Sequence, residues 1–375
     1  MPRFGHACLL LVLFLQLVAG HAAAAPPGLT RGPDGTVLRD GQPYCGVGVN
    51  YFGCFLRTLH DPDDRSFEAG FAALGEMGVP FARFCACGFW PRDMQLYLTD
   101  REEYFRRMDG VVRAAEKHGV GLIPSLCWYN GCVPDLVGEP MDQWGNPASK
   151  TSAFVRDYVR EMVTRYRESP AIWAWELGNE YNLGADLPNA AEHRPPVWPN
   201  LGTASSRGPR DDLTYDMLVT AVRLFAEEVR RHDPHRLISN GMSIPRSSAW
   251  HNRAEKTWQQ DTPEQTAEML ALTAPEPIDL VSVHCYEEAL GQIAAAAAAA
   301  RAVDKPLFVG EFQITEIDSP SARQALADVL AALEKARVPL AAVWVYDHPP
   351  HEDCNLTATN GRRWQLEMIG QEGRE

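Results

Sequence analysis

Two glutamates stand where a pair of carboxyl groups could break a glycosidic bond. Glu180 closes the run Ile172-Trp173-Ala174-Trp175-Glu176-Leu177-Gly178-Asn179-Glu180, and Glu311 closes Pro306-Leu307-Phe308-Val309-Gly310-Glu311. Both runs read as short apolar strands. Two carboxyl groups about 5 Å apart, one protonated and one ionised, can protonate a leaving oxygen and attack the sugar carbon. Burial raises the pKa of one group, and the charge of its neighbour raises it further. Around them stand residues able to support that chemistry. Asn179 directly precedes Glu180, and an amide there can bond a sugar 2-hydroxyl. His284 and Tyr286 end a third apolar run; a tyrosine hydroxyl can orient an attacking carboxylate and keep it ionised. Arg83 can do the same by charge, and Trp344 can form a flat floor under a sugar ring. Glu176 lies in the same motif, but Glu180 is favoured as the acid because it stands beyond the strand and beside Asn179. Glu287 and Glu288 read as solvated loop charges.

These side chains need a scaffold that brings distant strand ends together. Strand candidates fall at 46–50, 81–84, 121–126, 171–177, 237–241, 278–284, 307–311 and 340–346. Between them run helical stripes: Phe67, Phe71, Leu74, Met77; Phe154, Val155, Tyr158, Met162, Val163; and Leu326, Val329, Leu330, Leu333 after a Ser319-Pro320 start. Further helices are expected over 213–231 and 264–273, and the alanine run 294–300 reads as helix filler. Eight strand–helix alternations indicate a (β/α)8 TIM barrel, an α/β fold, as one domain over 26–375. Pro124 is awkward inside the third strand. Segment 36–44 reads as a hairpin turning at Asp40-Gly41, after a Pro/Gly-rich leader at 26–33 without periodicity. Two insertions, 181–209 and 242–262, would rise from the C-terminal face, where long loops shape a cleft. Trp198, Trp250 and Trp258 lie within them.

The stretches Phe81-Ala82-Arg83-Phe84, Trp175 to Glu180, Val283-His284-Cys285-Tyr286, Val309-Gly310-Glu311-Phe312 and Val343-Trp344-Val345-Tyr346 stand in this order. As an ordered set, with the opening Gly46-Val47-Gly48-Val49-Asn50-Tyr51, they resemble glycoside hydrolase family 5 and the wider group of retaining barrel glycosidases. The resemblance covers nearly all of the chain after its first residues. It implies Glu180 as acid/base, Glu311 as nucleophile and Asn179 as the 2-hydroxyl contact. It also implies Arg83 and Tyr286 as supports of Glu311, His284 in the cleft and Trp344 under the sugar. Trp175-Glu176-Leu177-Gly178-Asn179-Glu180 looks most like the β-mannanase branch. Many cellulase members carry a histidine at the end of the third strand; this chain reads Leu126-Cys127-Trp128-Tyr129-Asn130, which makes Trp128 or Asn130 the expected sugar contact there. Each candidate has a structural alternative: Arg83 in a plain barrel ion pair, His284 as a core histidine, Trp344, Trp90 and Trp128 as packing.

The bulk properties set outer limits. The chain has 375 residues, 45% hydrophobic and 22% charged, which is ordinary globular composition. A formal net charge of -14 disfavours nucleic acid and anionic membrane surfaces, and says nothing against a neutral glycan. Met1-Pro2-Arg3, the apolar stretch 8–18 and the small residues 22–25 read as a signal peptide over 1–25. A secreted or periplasmic protein free of the membrane is therefore expected. After Cys8 eight cysteines remain, and disulfides or small buried fillers are the expected roles, with Cys127 and Cys132 placed to close one loop. No Cys-x-x-Cys or His-x-His spacing supports a metal site, and no cofactor is implied. The expected activity is endo-acting hydrolysis of a β-1,4-linked polysaccharide, mannan ahead of glucan. The alternatives are an exo-acting β-mannosidase or β-glucosidase on oligosaccharides, and a carbohydrate-binding barrel without turnover.

Overall fold

A computed structural model describes residues 27–286 and 289–372. The expected signal peptide and the pair Glu287 and Glu288 lie outside the described residues. Three short strands come first: β1 (Leu29–Arg31), β2 (Val37–Arg39) and β3 (Gln42–Pro43), paired antiparallel. The expected hairpin is present, and Asp40 and Gly41 at its tip have φ of 53° and 76°, as a tight turn of the mirror-image type requires. The Pro/Gly-rich leader, which shows no periodicity in sequence, supplies β1. Its Leu29 and Val37, from β2, pack on the barrel's interior cluster, so this small sheet closes the N-terminal end.

The barrel strands are β4 (Gly46–Asn50), β5 (Phe81–Cys85), β6 (Gly121–Ser125), β7 (Ala174–Glu176), β8 (Leu237–Ser239), β9 (Val281–His284), β10 (Leu307–Phe312) and β11 (Leu340–Val343). All pair in parallel, in the order β8-β7-β6-β5-β4-β11-β10-β9, and a parallel bridge from Ser239 to Leu280 joins the two ends. All eight expected strands exist, although the third, fourth, fifth, sixth and eighth are shorter than read. Pro124 is accommodated within β6. Leu122 and Leu126 N–H groups donate towards the fourth strand's carbonyls at 2.6 and 2.9 Å, and the proline falls between them, where a donor is missing.

Helices at Ser66–Met77, Arg101–His118, Lys150–Tyr166, Tyr215–His232, Ala289–Ala302 and Pro320–Lys335 are among those that alternate with the strands. Their expected apolar stripes are buried, including Phe67, Phe71, Leu74, Val155, Tyr158, Leu326 and Leu333. Ser319 caps the helix it precedes, its Oγ accepting from Ala322 N at 3.1 Å, a bond of the kind that stabilises by about 1 kcal/mol.

Strand alternation divides the barrel into layers. Phe81, Ile123, Ala174, Leu237, Leu280, Phe308, Leu340 and Ala342 form one apolar interior cluster. Their outward neighbours, such as Ala82, Leu122, Trp175, Ile238, Val281 and Ala341, belong to the cluster under the helices. Two residues further along the same inward faces stand Arg83, Ser125, Glu176, Ser239 and Ser282, all buried. The interior thus turns from apolar to polar one layer below the mouth.

No helix of the described residues is long and apolar enough to cross a membrane. The eight cysteines at 45, 54, 85, 87, 127, 132, 285 and 354 are all free thiols, and all but Cys45 are buried. Disulfide pairing is therefore not what they do here; Cys127 and Cys132 do not close a loop. Cys85 and Cys87 come within 3.7 Å through sulfur, far beyond a bond of about 2.05 Å. Burial keeps such groups protonated, pushing Cys285 up to about 12.

Candidate active site

Glu311 owes its direction to an irregularity in β10. Phe308 points into the barrel and Val309 towards the helices, so strict alternation would send Glu311 outward with Val309. The pairing with β9 runs Val309 to Val283 and then Glu311 to His284, so Gly310 is an extra residue held in a bulge. The bulge turns Glu311 inward, beside His284. Asn50 Nδ2 donates to the Gly310 carbonyl at 2.9 Å and fixes it.

Arg83 is the hub of the polar layer and is wholly buried. Its Nε donates to Glu176 Oε1 at 2.7 Å, Nη1 to Glu311 Oε1 at 2.8 Å and Asn50 Oδ1 at 3.0 Å, and Nη2 to Asn179 Oδ1 at 2.9 Å. The Trp128 ring lies under the guanidinium, 4.4 Å from its centre. Only a planar fork of N–H donors can serve four acceptors at once. Glu176 also accepts from Ser239 Oγ at 3.0 Å, so it is locked beneath Arg83 and cannot meet a sugar. The tyrosine hydroxyl of Tyr286 donates to Glu311 Oε2.

Glu180 stands beyond β7 in a left-handed conformation, φ 56°. Its N–H donates to the Gly241 carbonyl at 2.9 Å. Asn182 clasps the same loop, donating to Ser243 O at 2.8 Å and accepting from Ser243 N at 3.0 Å. Gly241 has φ +68°, and a Cβ there would fall 1.8 Å from the Gly178 carbonyl oxygen. Gly241→Ala should therefore displace Glu180. We expect at least a tenfold loss of turnover, with a stability loss of about 1–2 kcal/mol from the left-handed backbone alone. Steady-state kinetics and urea unfolding of the variant check this.

His284 joins the two carboxylates. Its Nδ1 lies 2.9 Å from Glu180 Oε1 and 3.5 Å from Glu311 Oε2. One atom from each of Glu180, His284 and Glu311 lies within 4.8 Å of the other two. Two carboxyl oxygens this close match the spacing of about 5 Å used for retention, and fall well short of the roughly 6.5–9.5 Å used for inversion. Three such ligands can also hold a cation, but Arg83 already supplies the positive charge facing Glu311.

Trp344, half-buried, lies 6.2 Å from both Trp128 and Phe52, ring to ring, and its Nε1 donates to His351 Nδ1 at 2.9 Å. Contacts thus gather Arg83, Asn179, Glu180, His284, Tyr286 and Glu311, with Trp128 and Trp344 beside them. Asn130 is not drawn in. Among the described hydrogen bonds its carbonyl accepts from Trp144 Nε1 at 2.9 Å, and its side chain reaches none of these groups.

The family model for cellulases, glycosyl hydrolase family 5, matches residues 74–347, a span that runs from before Arg83 to beyond Trp344. The chain belongs to glycosyl hydrolase family 5. A probable mannan endo-1,4-β-mannosidase A of Aspergillus clavatus is 40% identical over 185 residues, covering 45% of this chain and 48% of that protein. The chain spans less than half the length of the curated relatives it matches. The endo-1,4-β-mannanase of Rhizomucor miehei has the same fold at TM-score 0.67 and 16% identity, covering 92% of this chain and 99% of that one. The exo-β-1,4-mannosidase of Opitutaceae bacterium strain TAV5 superposes at TM-score 0.65 and 16% identity, covering 92% and 62%.

Within this family 5 site the electrostatics are uneven. Burial pushes Glu311 above its ordinary range, against the opposing pull of His284, Arg83 and the Tyr286 hydroxyl. Burial also acts on Glu180, but the His284 hydrogen bond and charge, then Ser243 and Arg83, hold it below its ordinary range. Among the described residues His284 Nε2 has no hydrogen-bond partner. Burial and the charge of Glu311 drive Tyr286 far above its usual range, so it stays an O–H donor.

Asn50, Ser239, Asn182, Ser243 and Gly241 were not singled out as site residues from the sequence. Asn50 had a visible signal, the polar end of an otherwise apolar first strand. The others act through loop geometry that no spacing rule exposes.

Proposed function

We propose that the protein is an exported retaining glycoside hydrolase that cleaves within β-1,4-linked mannan. The observation that carries this reading is the approach of Glu180 and Glu311 oxygens to within 4.8 Å, bridged by His284. Glu311 attacks the anomeric carbon while Glu180 gives its proton to the departing oxygen, leaving a glycosyl ester on Glu311. Glu180 then takes a proton from water, which attacks the same carbon and frees Glu311. Arg83 and Tyr286 hold Glu311 ionised and aimed, and Asn179, itself fixed by Arg83, offers its amide N–H to the 2-hydroxyl.

The protonation states follow from exposure. The Glu180 side chain is 29% exposed in the open cleft and that of Glu311 only 3%. A bound sugar removes water from Glu180 while changing little around Glu311. Substrate binding therefore raises Glu180 relative to Glu311 and places the shared proton on the acid. Mannan is preferred over glucan because the relatives are named as mannan endo-1,4-β-mannosidases and because of the Trp175 to Glu180 motif. Domain extent 26–375 and export by a signal peptide belong to this proposal.

A second reading, exo-action, is favoured by the likeness to the exo-β-1,4-mannosidase and by insertion 181–209, whose Trp198 packs on Trp90. Product sizes separate the two. Incubation with mannan should release di- and trisaccharides and longer fragments from the start. Mannose as the sole early product would replace the endo reading by the exo one, and no release from mannan, cellulose or mixed-linkage glucan would remove both.

A further inference from the structure

Trp198 is 48% exposed, yet its insertion is not a loose loop. Arg207 and Asp135, whose side chains are 5% and 0% exposed, pair through 2.7 and 2.6 Å contacts, and Arg194 pairs with Asp212 at 2.6 Å. Trp198 N donates to Thr203 Oγ1 at 2.6 Å, and Arg92 Nη1 reaches the Asn200 carbonyl at 3.5 Å. The segment around Trp198 is thus pinned at both ends and against the turn Pro91–Met94.

A row of aromatic rings leads from the catalytic centre to this residue. Trp344 meets Phe52 at 6.2 Å, Phe52 meets Phe89 at 6.0 Å, Phe89 meets Trp90 at 5.0 Å, and Trp90 meets Trp198 at 5.0 Å. Here burial falls outward from Phe52: Phe52 is 9% exposed, Phe89 and Trp90 are half-buried, and Trp198 is 48% exposed, while Trp344 at the catalytic end is again half-buried. An exposed tryptophan held rigid offers apolar area at little entropic cost to a partner. The row is continuous with the cleft, so the partner is the glycan chain whose scissile bond lies at Glu180 and Glu311.

We propose that Trp198, backed by Trp90, is a remote sugar-binding platform carried by the insertion after the fourth barrel strand, taking a β-1,4-linked hexose several units from the cleavage point. The platform deepens the functional reading above and rests on it for the identity of the glycan. It selects long chains over short ones, because only a long chain reaches both the carboxylates and Trp198.

Two measurements test it. Trp198→Ala should lower the ratio of kcat/KM for a β-1,4-mannohexasaccharide to that for the trisaccharide about fivefold, the value of one lost ring contact. Trp198→Phe should restore most of the ratio. In parallel, calorimetric binding of the hexasaccharide to Glu311→Gln should weaken about fivefold when Trp198→Ala is added, a readout independent of turnover. An unchanged Kd on adding Trp198→Ala, or an unchanged kinetic ratio, overturns the platform. Failure of the wild type to cleave any β-mannan, with binding still dependent on Trp198, overturns the catalytic reading and leaves the platform standing.

Discussion

Glu311→Gln should abolish turnover on polymer and on activated substrates alike, by at least about 10⁴-fold, because no other group can attack the anomeric carbon. Glu180→Gln should behave differently. On mannan it should lose about 10²–10⁴-fold, the usual contribution of general acid catalysis. On an aryl glycoside whose phenolate leaves without a proton, the first step should be nearly intact. The ester on Glu311 should then accumulate as a burst, and added azide, a nucleophile that needs no base, should release it. Stopped-flow and steady-state kinetics with both substrate types check the pair. Equal losses for Glu180→Gln on the two substrates would contradict its role as acid, and full activity of Glu311→Gln would contradict the mechanism.

Arg83→Met should be the most destabilising single change in the site. It leaves Glu176 and Glu311 buried with no cation between them, and breaking a buried pair in this way costs about 3–5 kcal/mol. Arg83→Lys should recover part of this, since it returns the charge but cannot serve Glu176, Glu311, Asn50 and Asn179 together. The deficit should depend on pH. Burial already raises Glu311 above its unfolded value, and loss of Arg83 raises it further. The folded variant then binds a proton more tightly than the unfolded chain. Its stability therefore recovers as pH falls through the folded pKa towards the ordinary glutamate range, and the full deficit appears above it. Urea unfolding at pH 7 and pH 5 reads both effects. A variant as stable as wild type at pH 7 would show that Arg83 does not hold the layer together.

How far the sequence reaches can be judged from these same residues. Arg83 was legible because Phe81 and Arg83 share one face of a strand, and His284 because Ser282 and His284 do. Glu311 was singled out as the end of an apolar strand, and that reason is incomplete for where its side chain lies. Strand position alone would have pointed it at the helices, and the bulge at Gly310 turns it inward. Glu180 was read as closing a strand, whereas β7 ends at Glu176 and Glu180 occupies a left-handed position held by Gly241. Left-handed backbone and bulges are decided by contacts between segments far apart in the chain, so no local pattern announces them. The same limit applies to Asn130, three residues from Cys127, which makes no side-chain hydrogen bond to the cluster among the described residues. The thiols were misjudged in part for a related reason: an exported chain favours disulfides, but pairing needs Cβ atoms that face each other, which only the folded chain decides.

The most direct test of the central claim is the anomeric configuration of the first product. Proton NMR of a β-linked manno-oligosaccharide, recorded within the first minutes of cleavage, should show the new reducing end as the β-anomer, with the α-anomer appearing only later by mutarotation. First appearance of the α-anomer would mean a single displacement by water, and would contradict the closely spaced Glu180 and Glu311 as nucleophile and acid.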